Sequence, residues 1–138
     1  MIRKTVIATH GTLAEGFLSA LKIIVGADET IQAVNCYTTE GFDIEKVLDD
    51  IFDSLKEDEE LFVFTDLLGG SVNNAFIKRL EKHPFHLVTN TSLGLLMDYI
   101  LMQPDADTLK QKLTTGEFSA VYCNDLIEQM KMDEDDDL

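Results

Sequence analysis

The 138-residue chain has no tryptophan, two prolines, two cysteines and 11 basic residues against 26 acidic ones. The shortage of lysine and arginine leaves a formal net charge of −15 and a pI near 4.3. Nucleic acid is excluded as a partner, because its phosphates need basic side chains to displace counterions. Anionic membrane surfaces are disfavoured for the same reason. Such a field serves solubility, and it also steers a basic protein inward. The two cysteines, Cys36 and Cys123, lack metal-binding spacing and read as buried thiols in a reducing compartment. No apolar run approaches the ~20 residues of a membrane span. The stretch behind Arg3 and Lys4 is too short for a signal peptide, so a cytoplasmic location is expected. No Walker A, G-x-G-x-x-G or G-x-S-x-G motif supports a nucleotide substrate or a serine nucleophile. No cluster of His, Cys, Asp and Glu has zinc or EF-hand spacing, and no cofactor is implied.

With 45% hydrophobic and 27% charged residues, the chain has the balance of one soluble domain with a sizeable core. The apolar run within Lys4–Thr9 reads as a buried strand that ends on His10. Gly11 and Thr12 then lead into a helix with Leu13, Ala14, Phe17, Leu18 and Leu21 on one face, closed by Gly26. A second strand is expected over 31–37, and a helix from a cap at Asp43 to Leu55. Leu61–Thr65 is apolar on both faces, as a central parallel strand should be. It ends at Asp66, before Gly69, Gly70, Ser71 and a helix carrying Ala75, Phe76, Ile77 and Leu80. A fourth strand follows over 85–89, then helices over 92–101 and 107–113, a short strand over 118–123 and a terminal helix to about Met132. Repeated β-α alternation implies an α/β fold: a doubly wound, mostly parallel open sheet with helices on both faces. A single domain over 1–132 precedes an acidic tail, 133–138, expected to be a solvated end.

Parallel crossovers place His10 and Asp66 on the same sheet edge, though the pattern alone does not make them neighbours. Imidazole is a good nucleophile near neutral pH. To accept a phosphoryl group it needs one exposed, unprotonated nitrogen, the other held as N–H by an acceptor, and donors for the phosphoryl oxygens. Asp66 is the candidate acceptor. Gly69, Gly70 and Ser71 are candidate phosphate-binding residues, as are Gly11 and Thr12 from the other side. The plainer readings are a structural histidine, a turn-forming aspartate and an ordinary glycine turn. His83, in a polar turn before Pro84, and His86, inside a strand, are weaker candidates.

The segments Val-Ile-Ala-Thr-His-Gly-Thr-Leu-Ala-Glu-Gly at 6–16 and Phe-Thr-Asp-Leu-Leu-Gly-Gly-Ser-Val-Asn-Asn at 64–74 carry a family resemblance. Together they make the chain, over 2 to about 124, similar to the IIA component of the mannose-type sugar phosphotransferase system (PTS). The resemblance implies that His10 takes a phosphoryl group on Nε2 from phospho-HPr and passes it to a IIB component, with Asp66 orienting the ring. Gly70 and Ser71 match the phosphate-contacting loop. It also implies a homodimer in which a C-terminal antiparallel edge strand, here 118–123, is exchanged between subunits. Membrane IIC and IID components would be reached only indirectly. Val72 stands where many members have proline, which should leave the loop intact. Alternatives within reach of the sequence are a non-catalytic module sensing HPr phosphorylation and the phosphotransferase protein of dihydroxyacetone kinase, whose loop lacks this Gly-Gly-Ser form. A histidine phosphatase would need arginine where Thr9 stands, and a receiver domain an acidic pair where Thr9-His10-Gly11 stands.

Overall fold

The computed structural model describes residues 1–136. Among these, the elements run β1 (Ile2–His10), α1 (Leu13–Val25), β2 (Ile31–Cys36), α2 (Ile44–Asp53), β3 (Glu59–Thr65), α3 (Ser71–Ile77), β4 (His86–Val88), α4 (Leu93–Met102), α5 (Ala106–Leu113) and α6 (Cys123–Asp136). The strands form one sheet in the order β2-β1-β3-β4, and every pairing is parallel. The chain leaves β1 in one direction to reach β2, then crosses back over β1 to β3. That reversal opens a crevice between the carboxyl ends of β1 and β3, the place where open α/β sheets hold ligands. Ala8 pairs with Thr65, so His10 and Asp66 both emerge at this crevice.

Alternation along the strands divides the core into two layers. Val6, Ala8, Leu61 and Val63 pack with Leu48, Ile51 and Phe52 of α2 and with Val72, Ala75 and Phe76 of α3. Ile7, Phe62 and Phe64 face the other way, onto α1, α4 and α5 through Leu21, Leu95, Leu96, Tyr99 and Leu109. Each fully buried large side chain contributes about 1.5–3 kcal/mol relative to exposure. Helix ends follow their local chemistry. The Asp43 carboxylate accepts from the Glu45 and Lys46 amides, the Ser92 hydroxyl from Leu95, and Asp105 from Thr108. Gly26 closes α1 in the left-handed region at φ 67°. At the start of α1 the capping oxygen is not that of Thr12. The hydroxyl of buried Thr9, at the end of β1, accepts from the Ala14 amide at 2.7 Å.

Three expectations are corrected. Residues 118–123 form no strand: Ser119 N–H donates to the Gly116 carbonyl in a turn, and Cys123 already begins α6. A strand exists only where a ladder partner completes its hydrogen bonds, and the described sheet offers this segment none. The terminal helix does not stop near Met132 but continues to Asp136, into the acidic tail, while 137–138 lie outside the described residues. No α6 residue is buried, and Leu126, Ile127, Met130 and Met132 are exposed. Cys123 shares that exposure, so only Cys36 is a buried thiol.

One buried polar pair links the end of β3 to α3. The Thr65 hydroxyl bonds the Asn73 side-chain oxygen at 2.7 Å, and both residues are buried. Thr65→Val keeps the shape but leaves Asn73 without that partner, so it should cost about 1–3 kcal/mol. Urea denaturation checks this: a lower midpoint at unchanged slope is expected, whereas an unchanged midpoint would mean Asn73 is satisfied elsewhere.

Candidate functional site

His10 is the last residue of β1, a strand paired on both sides, so its backbone is fixed before its ring is considered. Asp66 directly follows β3. One Asp66 oxygen, Oδ2, accepts both the His10 backbone N–H at 2.9 Å and ring Nδ1 at 2.9 Å. The other, Oδ1, accepts the Leu67 amide at 3.1 Å. A carboxylate can only accept, so in the neutral ring the proton sits on Nδ1 and the lone pair is on Nε2. Nε2 lies 3.1 Å from Ser71 Oγ, whose hydroxyl proton can donate to it. The Asp66 side chain is 9% exposed and that of His10 39%: the orienting group is shielded and the nucleophilic edge open. Burial pushes the Asp66 carboxyl up, but hydrogen bonds from the His10 amide and ring outweigh it and leave the group below its ordinary range.

The loop between Asp66 and α3 needs its glycines. A Cβ on Gly70 would stand 3.2 Å from His10 Cε1 and 3.2 Å from the Leu67 carbonyl oxygen. Gly69 turns the chain at φ 80°, its carbonyl held by the Asn74 side chain at 3.1 Å. Two residues beyond the end of β4, Asn90 Oδ1 accepts the Leu68 amide at 3.0 Å and steadies the loop. Val72 occupies the second position of α3 and is fully buried, so the helix start holds without proline.

The structure thus brings His10, Asp66 and Ser71 into direct contact and places Gly70 against the ring, with Gly69 shaping the turn. Gly11 shapes the opposite turn at φ 61°, but its amide is taken by the Cys36 carbonyl at 2.8 Å. Thr12 is exposed and gives α1 no side-chain cap. His83 and His86 lie elsewhere: His83 stacks on Phe52 at 4.3 Å, and His86 packs on Phe62 and pairs with Glu60 at 3.2 Å.

Tyr37 is a site residue that the sequence pattern did not reveal. Its ring stacks on His10 with centroids 5.6 Å apart and planes at 25°, braced edge-on by Phe42 at 4.9 Å. Its φ of 64° is left-handed, which costs a non-glycine residue about 1–2 kcal/mol. Beside it, burial and the Asp66 charge push the Cys36 thiol up to about 11, so it stays protonated and unreactive near neutral pH. Among the described residues no group of three or more His, Cys, Asp and Glu is placed to hold a metal ion.

An open parallel sheet with an oriented, half-exposed histidine at its switch point defines a class: a doubly wound α/β domain that presents a nucleophilic imidazole. Comparison with known proteins gives the family. The model of the family described as PTS system fructose IIA component matches residues 4–115, and the chain belongs to that family. A solved structure from Klebsiella pneumoniae subsp. pneumoniae, assigned to the phosphoenolpyruvate-dependent sugar PTS permeases, is 31% identical, with a TM-score of 0.83 over 92% of this chain and 95% of that one. An EIIA component from Streptococcus agalactiae is 26% identical, with a TM-score of 0.72 over 89% and 98%. A mannose/sorbose-specific IIA subunit from Enterococcus faecalis is 25% identical, with a TM-score of 0.70 over 88% and 93%. No curated protein matches the chain by sequence.

Replacing Asp66 by Asn leaves one neutral oxygen where two charged ones accepted the His10 amide, Nδ1–H and the Leu67 amide. The amide NH2 meets an N–H group whichever way it turns, the ring loses the negative charge that supports its cationic form, and reaction at Nε2 should fall on the order of 10²–10⁴-fold. The same pair sets a pH dependence. The folded value of Asp66 is depressed, so its contribution to stability is complete above the unfolded carboxylate value of about 3.9 and is lost as pH falls through the lower folded value. Denaturation of wild type and Asp66→Asn from pH 6 to pH 2 should show the two curves converging only at the acid end. A constant gap would contradict the assignment.

Proposed function

We propose that this protein is the phosphoryl-carrier IIA component of a phosphoenolpyruvate-dependent sugar phosphotransferase system. His10 accepts the phosphoryl group on Nε2 from phospho-HPr and passes it to a IIB component during sugar uptake. The observation that carries this reading is the double acceptance by Asp66 Oδ2 of the His10 amide and ring Nδ1, which in the neutral ring leaves the lone pair on Nε2 of a side chain that is 39% exposed. In the transfer step the Nε2 lone pair forms a bond to phosphorus. The bond to the donor breaks, and its electron pair stays with the donor. The ring becomes cationic, with Nδ1–H held against Asp66, and no proton has to move. Ser71 Oγ–H, now 3.1 Å from Nε2, is free to turn to a phosphoryl oxygen as the lone pair is consumed. The Gly69-Gly70 turn lets the loop lie close enough to do this, and Gly11 and Thr12 bound the site opposite.

The open edge of His10 suits a donor and an acceptor that are themselves proteins. Leu13, Leu67 and Leu68, on the elements that carry the site, are exposed large apolar side chains on which such partners can dock. Residues 1–132 act as a single phosphotransferase domain in the cytoplasm, as a homodimer, with 133–138 as an acidic appendage and with IIC and IID components reached only through IIB. The reading requires no metal, cofactor or nucleic acid. No helix among the described residues is long and apolar enough to cross a membrane.

The test is phosphoryl transfer. Incubated with Enzyme I, HPr and phosphoenolpyruvate, the protein should gain the mass of one phosphoryl group in acid-labile form, and His10→Ala should gain none. No gain, or a gain that persists in His10→Ala, would overturn the reading.

A further inference from the structure

Asp66 anchors the His10 ring at Nδ1 and Ser71 Oγ lies 3.1 Å from Nε2, and a ring held at its two nitrogens can still rock about the line between them. Two other contacts restrict that motion. Gly70 closes on the Cε1 edge, where a Cβ would come within 3.2 Å. Tyr37 lies on the ring face, 5.6 Å away and within 25° of parallel. The placement of Tyr37 is not explained by burial, since the residue is 46% exposed. It is also held in the left-handed region at φ 64°, which a tyrosine avoids unless its surroundings impose it. The surroundings do so from both sides. The preceding carbonyl, that of Cys36, is tied to the Gly11 amide beside His10, and Phe42 braces the outer edge of the Tyr37 ring. A strained backbone that gains little burial but delivers an aromatic face onto an imidazole marks a residue placed for that imidazole.

We propose that Tyr37 is a positioning residue for phosphoryl transfer. With Asp66 fixing the ring in its plane and Tyr37 fixing the plane itself, the Nε2 lone pair points at the phosphorus of a docked donor. This inference rests on the phosphoryl-acceptor reading of His10 and extends it to a group that touches neither phosphorus nor Nε2. Stacking also favours the cation formed on transfer, because an aromatic face attracts a charged ring more than a neutral one. Orientation matters in the docked complex, where a small misalignment of the reacting atoms slows an otherwise unimolecular step. It matters little toward a small, freely tumbling donor.

The experiment compares wild type with Tyr37→Ala, Tyr37→Leu, Tyr37→Phe and Tyr37→Gly. Single-turnover phosphorylation is measured against phospho-HPr concentration and, separately, against phosphoramidate as a small donor. Tyr37→Ala and Tyr37→Leu should lower the saturating rate about tenfold, with the half-saturating HPr concentration and the phosphoramidate rate within twofold of wild type. Tyr37→Phe should restore the saturating rate. Tyr37→Gly, which removes ring and strain together, should be as slow as Tyr37→Ala without a lower thermal midpoint. The NMR order parameter of the His10 Cε1–H bond should fall in Ala, Leu and Gly and not in Phe, and this readout needs no phosphoryl donor. If wild type accepts nothing from phospho-HPr, the carrier reading fails, and the order parameter alone then decides whether Tyr37 positions the ring. Equal order parameters in wild type and Tyr37→Ala, a defect confined to the half-saturating concentration, or full activity of Tyr37→Leu would each overturn the proposal.

Discussion

One carboxylate oxygen, Asp66 Oδ2, receives both the backbone and the side chain of His10 at 2.9 Å. That shared acceptor ties the ends of β1 and β3 together at the point where the sheet order reverses, and it chooses the tautomer of the only histidine there. Much of the nearby architecture keeps this geometry in place. Thr9 caps α1 from within the strand, so the chain turns away immediately after His10. Thr65 grips Asn73 in α3 and Asn90 grips Leu68, so the loop that brings Ser71 to Nε2 is held at several places. A side chain at Gly70 would crowd the ring, its Cβ 3.2 Å from His10 Cε1.

The contrast in exposure between the two partners has a chemical consequence. A shielded Asp66 keeps its hydrogen bonds strong in a low local dielectric, while the open edge of His10 leaves the nucleophilic nitrogen within reach of a protein donor. In the proposed cycle the ring alternates between neutral and cationic, and the carboxylate is present in both states, so little reorganisation accompanies each transfer. The acidic surface, formally −15 over the chain, adds long-range attraction toward a basic partner face before any contact forms.

Much of this was legible in the sequence because it depends on local pattern. Val6–Thr9 and Leu61–Thr65 had to be buried strands, and Asp43 and Gly26 marked helix ends through chemistry that acts over a few residues. His10, Asp66 and the Gly-Gly-Ser turn stood out because titratable groups and glycines at strand ends carry specific meaning. The adjacency of His10 and Asp66 was not readable from periodicity, since it depends on strand order, a long-range property. Tyr37 was hidden for a related reason: an aromatic residue after a strand looks ordinary until the fold sets it in a left-handed turn over an imidazole. The segment 118–123 has strand-like composition but finds no ladder partner in the described sheet, and composition cannot supply one. The end of α6 was misplaced because acidic residues oppose the dipole at a helix C-terminus, yet the helix runs on to Asp136.

The central claim is that Asp66 holds the proton of the neutral His10 ring on Nδ1 and leaves Nε2 as the nucleophile. Long-range ¹H–¹⁵N correlation spectra of the unphosphorylated protein, with His10 assigned through His10→Ala, measure this directly. The account predicts a protonated-type Nδ1 and an unprotonated-type Nε2 in the neutral ring. A proton residing on Nε2 would contradict it.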